Sequence, residues 1–366
     1  MKLPSFTISK TTTVSSFMNS FFIEFRDPLF SIIILLGMIF VISFFSYWWG
    51  RYKAKDNYRY LDRFLEQFHT LPSEEELKEL IRSGELSQKS WLLLADAYTK
   101  NGDYEKAIDI YSELLLLDQN GENVRDIMFL LGKTYFKAGF LGRSRDVFLE
   151  ILKKNPRTPQ ALHYLLLVYE YMRDYQAALE VLEPLEVLNE DVSKEQLYLK
   201  VLALLHAENL DDELKTNEII FLYREYKQLE RMIFEYLFRT DPNRAWQELD
   251  FEKCENIADI LWQLEKKDVR LDIISRSSFL QELYTAKGYV KKAKSSDIFE
   301  LDLLIHLPKE VGATLSFEYI CTNCKVVFPF GFNRCSSCHS IDTAALEYGV
   351  VRDYRQEMHE ASDSFL

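Results

Sequence analysis

Residues 90–118 read SWLLLADAYTKNGDYEKAIDIYSELLLLD, and this stretch decides the fold. Apolar residues recur at helical spacing on both sides of Asn101, Gly102 and Asp103, whose types mark a turn. The product is a helix–turn–helix hairpin carrying Trp91, Leu94, Ala95, Tyr98, Tyr104, Ala107 and Tyr111 at fixed offsets. Outward from it, residues 127–156 (IMFLLGKTYFKAGFLGRSRDVFLEILKKNP) repeat the pattern with Met128, Leu131, Gly132, Tyr135, Gly139, Leu141, Ser144, Phe148 and Pro156. Residues 161–186 (ALHYLLLVYEYMRDYQAALEVLEPLE) give a third copy through Leu162, Leu165, Tyr169, Tyr175, Ala178 and Leu182. The small or aliphatic position steps from Ala95 to Gly132 to Leu166, intervals of 37 and 34 residues. One such hairpin cannot bury its apolar face alone, so copies must stack on one another.

Residue types and period together match the tetratricopeptide-repeat pattern. Small side chains let paired helices approach, and Tyr98, Tyr135 and Tyr169 fill the gap to the next helix. Clear repeats are expected at about 88–121, 125–158 and 159–190, with degenerate helix pairs continuing the solenoid to residue 310. Ahead of them, 50–89 reads as a basic flank and leading helices, with Ser73 as a helix cap. Solenoids present their function on a concave surface, which points to protein binding.

Residues 29–49, LFSIIILLGMIFVISFFSYWW, contain no charge. As a helix they span about 30 Å, the thickness of a bilayer core. The run ends in Tyr47, Trp48 and Trp49, which suit a membrane interface, and Arg51, Lys53, Lys55, Arg59 and Arg63 follow. A single transmembrane helix at 29–49 is therefore expected, with the main domain after it in the cytoplasm. Segment 1–28, rich in Ser, Thr and Phe, reads as flexible and is given no function.

The 366-residue chain has 44 basic and 57 acidic side chains, a net charge of -13. That balance argues against nucleic acid as a partner, because such binding depends on clustered Lys and Arg. Phosphate-loop, HExxH, GxSxG and kinase signatures are absent, so neither an enzyme nor a small-molecule substrate is expected. His69, His163, His206, His306 and His359 stand apart from any partner in the sequence, and Cys254 lies in a helical pattern as a small buried hydrophobe.

Four of the five cysteines form YICTNCKVVFPFGFNRCSSCHS, in which Cys321, Cys324, Cys335 and Cys338 have C-x2-C-x10-C-x2-C spacing. Each C-x-x-C can wrap one side of a metal, and two complete a tetrahedral four-thiolate site. Such a site is closed to water, so its role is structural or redox and not hydrolytic. Zinc and iron both fit tetrahedral sulfur. His339 directly follows Cys338, but four thiolates already saturate the metal, so it is at most a neighbour of the sulfurs and not a ligand. Val326, Phe328, Phe330 and Phe332 alternate, predicting a small strand with one face on the solenoid.

Anchor, basic flank, repeats and cysteine pairs, in that order, resemble the lipopolysaccharide assembly protein B (LapB) family of Gram-negative bacteria. The resemblance rests on Tyr319 two residues before the first cysteine, on CTNC and CSSC, and on the gap from Lys325 to Arg334. The knuckles depart from the usual pattern: Lys325 follows Cys324, and Ser336 follows Cys335. The resemblance implies an all-α chain: a transmembrane helix, a tetratricopeptide-repeat α-solenoid, and a rubredoxin-like metal-binding module at 317–342 with a C-terminal tail at 343–366. It further implies a non-enzymatic adaptor that couples the FtsH protease to LpxC and so regulates lipopolysaccharide assembly. The alternatives are a rubredoxin-like iron redox carrier or sensor, and a repeat scaffold for another cell-envelope machine.

Overall fold

The computed structural model describes residues 38–45, 74–84, 86–117, 123–308 and 311–352. Segment 1–28, most of 29–49, the flank up to residue 73 with Ser73, and 353–366 lie outside the described residues. Residues 38–45 are helical and expose Phe40, Ile42 and Phe45. Among the described residues no helix is long and apolar enough to cross a membrane.

The chain divides into two compact units, ending at Ala138 and beginning at Gly139. In the first, α1 (Glu74–Ser83), α2 (Gln88–Asn101), α3 (Tyr104–Leu117) and α4 (Val124–Lys137) enclose a core of Leu77, Trp91, Ala95, Ala107, Tyr111 and Ile127. The repeat-pattern residues are thus packing residues, and Ala95 and Ala107 are completely buried where helices meet. Ser87 caps α2 by accepting from the Ser90 amide at 3.3 Å. Buried Thr99 and Thr134 meet hydroxyl to hydroxyl at 3.3 Å, joining α2 to α4.

The second unit contains α5 (Leu141–Lys154), α6 (Pro159–Tyr171), α7 (Tyr175–Val187), α8 (Ser193–Leu205), α9 (Asp212–Tyr226), α10 (Glu230–Thr240) and α11 (Pro242–Glu248), each packed on the next. The pattern then shortens to a 3-10 turn, Cys254–Ile257, and the brief helices α12 (Ala258–Gln263), α13 (Ser278–Ala286) and α14 (Phe299–His306). A chain of rings runs through this core, Tyr223, Phe234, Phe238, Trp246, Tyr284 and Tyr289, with successive centroids 5.1–6.4 Å apart. Cys254 sits beside it, 1% exposed. Burial pushes its thiol up to about 11, which makes it inert.

The all-α reading needs correction. A three-stranded antiparallel sheet in the order β2-β1-β3 follows the helices: β1 (Ala313–Cys321), β2 (Val327–Phe328) and β3 (Ala344–Arg352). β1 and β3 pair along their whole length, from Ala313 opposite Arg352 to Cys321 opposite Ala344. Residues 344–352, read as tail, are therefore a full strand, and the module begins before residue 317. Leu315, Phe317 and Tyr319 share a face with Val350, Tyr348 and Leu346, directly across from them, and most of this face joins the helical core. Side chains alternate across a strand, so one apolar face suffices to dock the sheet. The strand expected from Val326 to Phe332 is only two residues long, Val327–Phe328. Phe332 packs edge-on to Phe328 at 4.8 Å, and Phe330 is 79% exposed.

The inter-helix turns explain why the third repeat lacks a glycine. Gly102 (φ 91°), Gly139 (φ 81°) and Arg173 (φ 61°) hold the same left-handed position four residues after Tyr98, Tyr135 and Tyr169. Asp174 then caps α7 through the Ala177 amide at 3.1 Å. A β-carbon at a left-handed position costs about 1 kcal/mol, whereas glycine adds a similar entropy to the unfolded chain. At φ 91° Gly102 lies well outside the left-handed well near 57° that Arg173 occupies, so in Gly102→Ala the strain is expected to exceed the entropy gain and lower stability by about 1 kcal/mol. Arg173→Gly is expected to remain within about 0.5 kcal/mol of the parent. Denaturant melts of the two variants check both.

Candidate metal centre

The cluster begins where β1 runs out. Cys321 ends that strand, Lys325 N–H donates back to the Cys321 carbonyl at 2.8 Å, and the Cys321 N–H donates to Val326 at 3.0 Å. The second knuckle repeats this geometry: His339 N–H donates to the Cys335 carbonyl at 2.8 Å, and Cys335 N–H to Ser340 at 2.9 Å. An Arg334–Ile341 bridge closes its base, and Thr322 N–H reaches the Thr343 carbonyl at 2.8 Å to tie the knuckles together. Lys325 and His339 each have φ 62°, so they carry the left-handed turns for which glycine is the usual residue.

These loops bring the four thiols of Cys321, Cys324, Cys335 and Cys338 within 4.8 Å of one another. Cys321 Sγ is 3.6 Å from Cys338 Sγ, and Cys324 Sγ is 3.7 Å from Cys335 Sγ. Those separations far exceed a disulfide bond. They match the sulfur–sulfur edge of about 3.8 Å that a tetrahedron with 2.3 Å metal–sulfur bonds requires. The donor set and its spacing therefore fit a four-coordinate, thiophilic ion. Oxygen and nitrogen groups surround the sulfurs as well: Ser340 Oγ is 3.3 Å from Cys338, Thr343 Oγ1 is 3.3 Å from Cys321, and Asn323 Nδ2 is 3.6 Å from Cys338. The Ser340 hydroxyl holds the Cys338 thiol down to about 6, while burial pushes Cys335 up to about 12.

His339 points its ring edge at Tyr164 of α6, centroids 6.1 Å apart, and lines a small cleft with Cys338. The residues that seat the module on the helices were not visible as a motif. Arg334 pairs with Glu170 of α6, its Nε donating to Oε1 at 3.1 Å, and donates to the His339 carbonyl at 2.8 Å; it also stacks on Tyr198 of α8 at 4.9 Å. Tyr198 O–H donates to the same Glu170 at 3.1 Å. The Arg334 and Glu170 side chains are only 8% and 10% exposed.

A second seat repeats this chemistry at β1. Asp259 of α12 accepts a two-pronged ion pair from Arg231 of α10, with one arm at 2.9 Å, and accepts from Tyr319 O–H at 2.7 Å. The Arg231 guanidinium stacks on the Tyr319 ring at 4.7 Å. Burial, and then the bond to Asp259, pushes Tyr319 up to about 12, so its hydroxyl stays a donor. Gly331, in the hairpin between the knuckles, presses on this pair, and a methyl built there would overlap the Arg231 guanidinium. Gly331→Ala is expected to cost about 1–3 kcal/mol in thermal or chemical melts, because Asp259 prevents that guanidinium from retreating.

Comparisons agree with the repeat reading over a limited stretch. The tetratricopeptide-repeat family model matches residues 90–125. The photosystem I assembly protein Ycf3 of Prochlorococcus marinus subsp. pastoris is 30% identical over 115 residues, 30% of this chain and 64% of that protein. Ycf3 of Rippkaea orientalis is 22% identical over 112 residues, with the same coverage. The chain thus spans less than two thirds of the length of the curated relatives it matches. Among solved structures, a tetratricopeptide repeat protein from Parabacteroides merdae aligns with 69% of this chain and 95% of its own, at 17% identity and a TM-score of 0.38.

Proposed function

We propose that this chain is a non-enzymatic adaptor that binds other proteins through its helical repeats and uses a metal-bound knuckle pair as a brace. One observation carries this reading: four thiols within 4.8 Å of one another, the number that closes a tetrahedral site, seated by buried ion pairs on helices of the repeat array. Zinc is the proposed ion, since a brace needs geometry and no redox change. Residues 29–49 are proposed to tether the chain to a bacterial inner membrane with the repeats in the cytoplasm.

The finer proposal, drawn from the LapB resemblance, is that the repeats couple FtsH to LpxC and so adjust lipopolysaccharide assembly. A second reading is an assembly factor for another membrane complex. The match to proteins named for photosystem I assembly favours it. Crosslinking in native membranes followed by identification of the captured proteins separates the two. FtsH together with LpxC supports the first, subunits of one other complex support the second, and no specific capture sinks the adaptor. Metal analysis of protein purified without added metal should find one zinc per chain and no visible absorption; stoichiometric iron with visible bands would favour the redox carrier instead.

A further inference from the structure

Each partly exposed cysteine of the cluster, Cys338 or Cys324, faces a fully buried cysteine from the opposite knuckle. Cys338 stands 3.6 Å from buried Cys321, and Cys324 stands 3.7 Å from buried Cys335. Cys338 also lines a cleft of about 270 Å³ whose other walls include His163 and Tyr164 of α6, Glu195 of α8, Arg334 and Ser340. A small neutral oxidant therefore reaches one sulfur of each pair, and the second sulfur lies directly behind it. We infer that the centre is an oxidant-operated latch: hydrogen peroxide converts the four thiolates into two crossed disulfides, Cys321–Cys338 and Cys324–Cys335, expels the metal and loosens the second knuckle from α6 and α8. The inference rests on the metal reading proposed above.

The chemistry closes within each pair. The exposed thiolate attacks one peroxide oxygen, the O–O bond breaks, and the sulfur becomes a sulfenic acid as hydroxide leaves. The buried thiolate then attacks the sulfenic sulfur, forming the S–S bond and releasing a second hydroxide. Two electrons pass from each sulfur pair to one peroxide, so two peroxides oxidise the site. The divalent ion departs because no thiolate remains to hold it.

The same geometry connects this event to the repeats. Arg334, which grips Glu170, immediately precedes Cys335, and it also bonds the carbonyl of His339, which immediately follows Cys338. Both ends of the second knuckle thus meet at one guanidinium, and redrawing the sulfur bonds strains that contact.

The test uses the full chain in detergent, assayed first for bound metal; a metal-free preparation would remove the metal reading itself. With one ion per chain, the protein is titrated with hydrogen peroxide. Released zinc is read with a chromogenic chelator, disulfides by tryptic mapping, and α6 by amide hydrogen exchange. Trypsin cuts after Lys325 and Arg334, so crossed bridges join the peptide carrying Cys321 and Cys324 to the one carrying Cys335 and Cys338. Bridges within each C-x-x-C leave them separate. The expected result is release of the whole ion, joined peptides and faster exchange over residues 159–171, all reversed by dithiothreitol with zinc. Cys254→Ala should behave identically. Retained metal, separate peptides, a bridge to Cys254 or unchanged exchange in α6 would each overturn the latch, and each leaves the metal reading intact.

Discussion

Replacing Cys321 and Cys324 together by serine is expected to abolish metal binding and to lower the Tm of the second unit by about 10 °C or more. The sheet module occupies residues 313–352, too short a stretch to build its own core. Its stability has three sources: one apolar sheet face on the helices, two buried ion-pair seats and the metal. In isolated zinc peptides the ion supplies roughly 10 kcal/mol. Here the helices hold the sheet in part without it, so a loss of several kcal/mol is expected and not complete unfolding of the unit. At roughly 2–4 °C per kcal/mol for a unit of this size, that loss sets the Tm shift. Calorimetry paired with metal analysis checks it. A metal-free variant that melts with the parent would end the brace reading, whatever the protein captures. Partner capture should fall in the same variant, because the second knuckle meets α6, the first helix of the third repeat, and α8, which follows that repeat.

Features that depend on local spacing are legible in the sequence. Repeats are legible because each one buries a small residue, Ala95, Gly132 or Ala178, a constraint written into residue size. The cysteine cluster is legible because a knuckle needs its two ligands close in the chain. What escaped depends on partners far apart in sequence. Ala313–Cys321 and Ala344–Arg352 alternate apolar and polar residues, yet their pairing spans the whole cysteine segment, and the second stretch passes for a tail. Arg173 at a turn glycine's place, and Lys325 and His339 in the knuckles, hide their left-handed conformations behind unremarkable side chains. The seats were hidden most deeply: Glu170 stands within LLLVYEYM and Asp259 within IADILW, single charges in apolar runs. A charge in such a place is the one signal that could have singled them out, because it must find a partner once buried.

Asp259→Ala is expected to be the most damaging substitution outside the cysteines, costing about 3–5 kcal/mol. Asp259 is 1% exposed, and it is the carboxylate to which both Arg231 and Tyr319 donate at this seat. Its removal leaves a guanidinium that is largely buried, pressed between the Tyr319 ring and Gly331, with its charge uncompensated. The loss is thus mainly the cost of stranding Arg231 and not the net worth of the pair, which two opposed desolvation terms keep small. Three further variants separate these contributions. Tyr319→Phe removes one hydrogen bond to a charged acceptor and should cost about 1.5–3 kcal/mol. Asp259→Asn retains the shape but not the charge and should fall between Tyr319→Phe and Asp259→Ala. Replacing Arg231 by methionine and Asp259 by leucine together removes the stranded charge and should recover most of the stability lost in Asp259→Ala. Chemical denaturation of the four variants decides the matter: a double variant no more stable than Asp259→Ala would mean that the ion pair itself, and not the avoidance of an unpaired charge, holds β1 against α10 and α12.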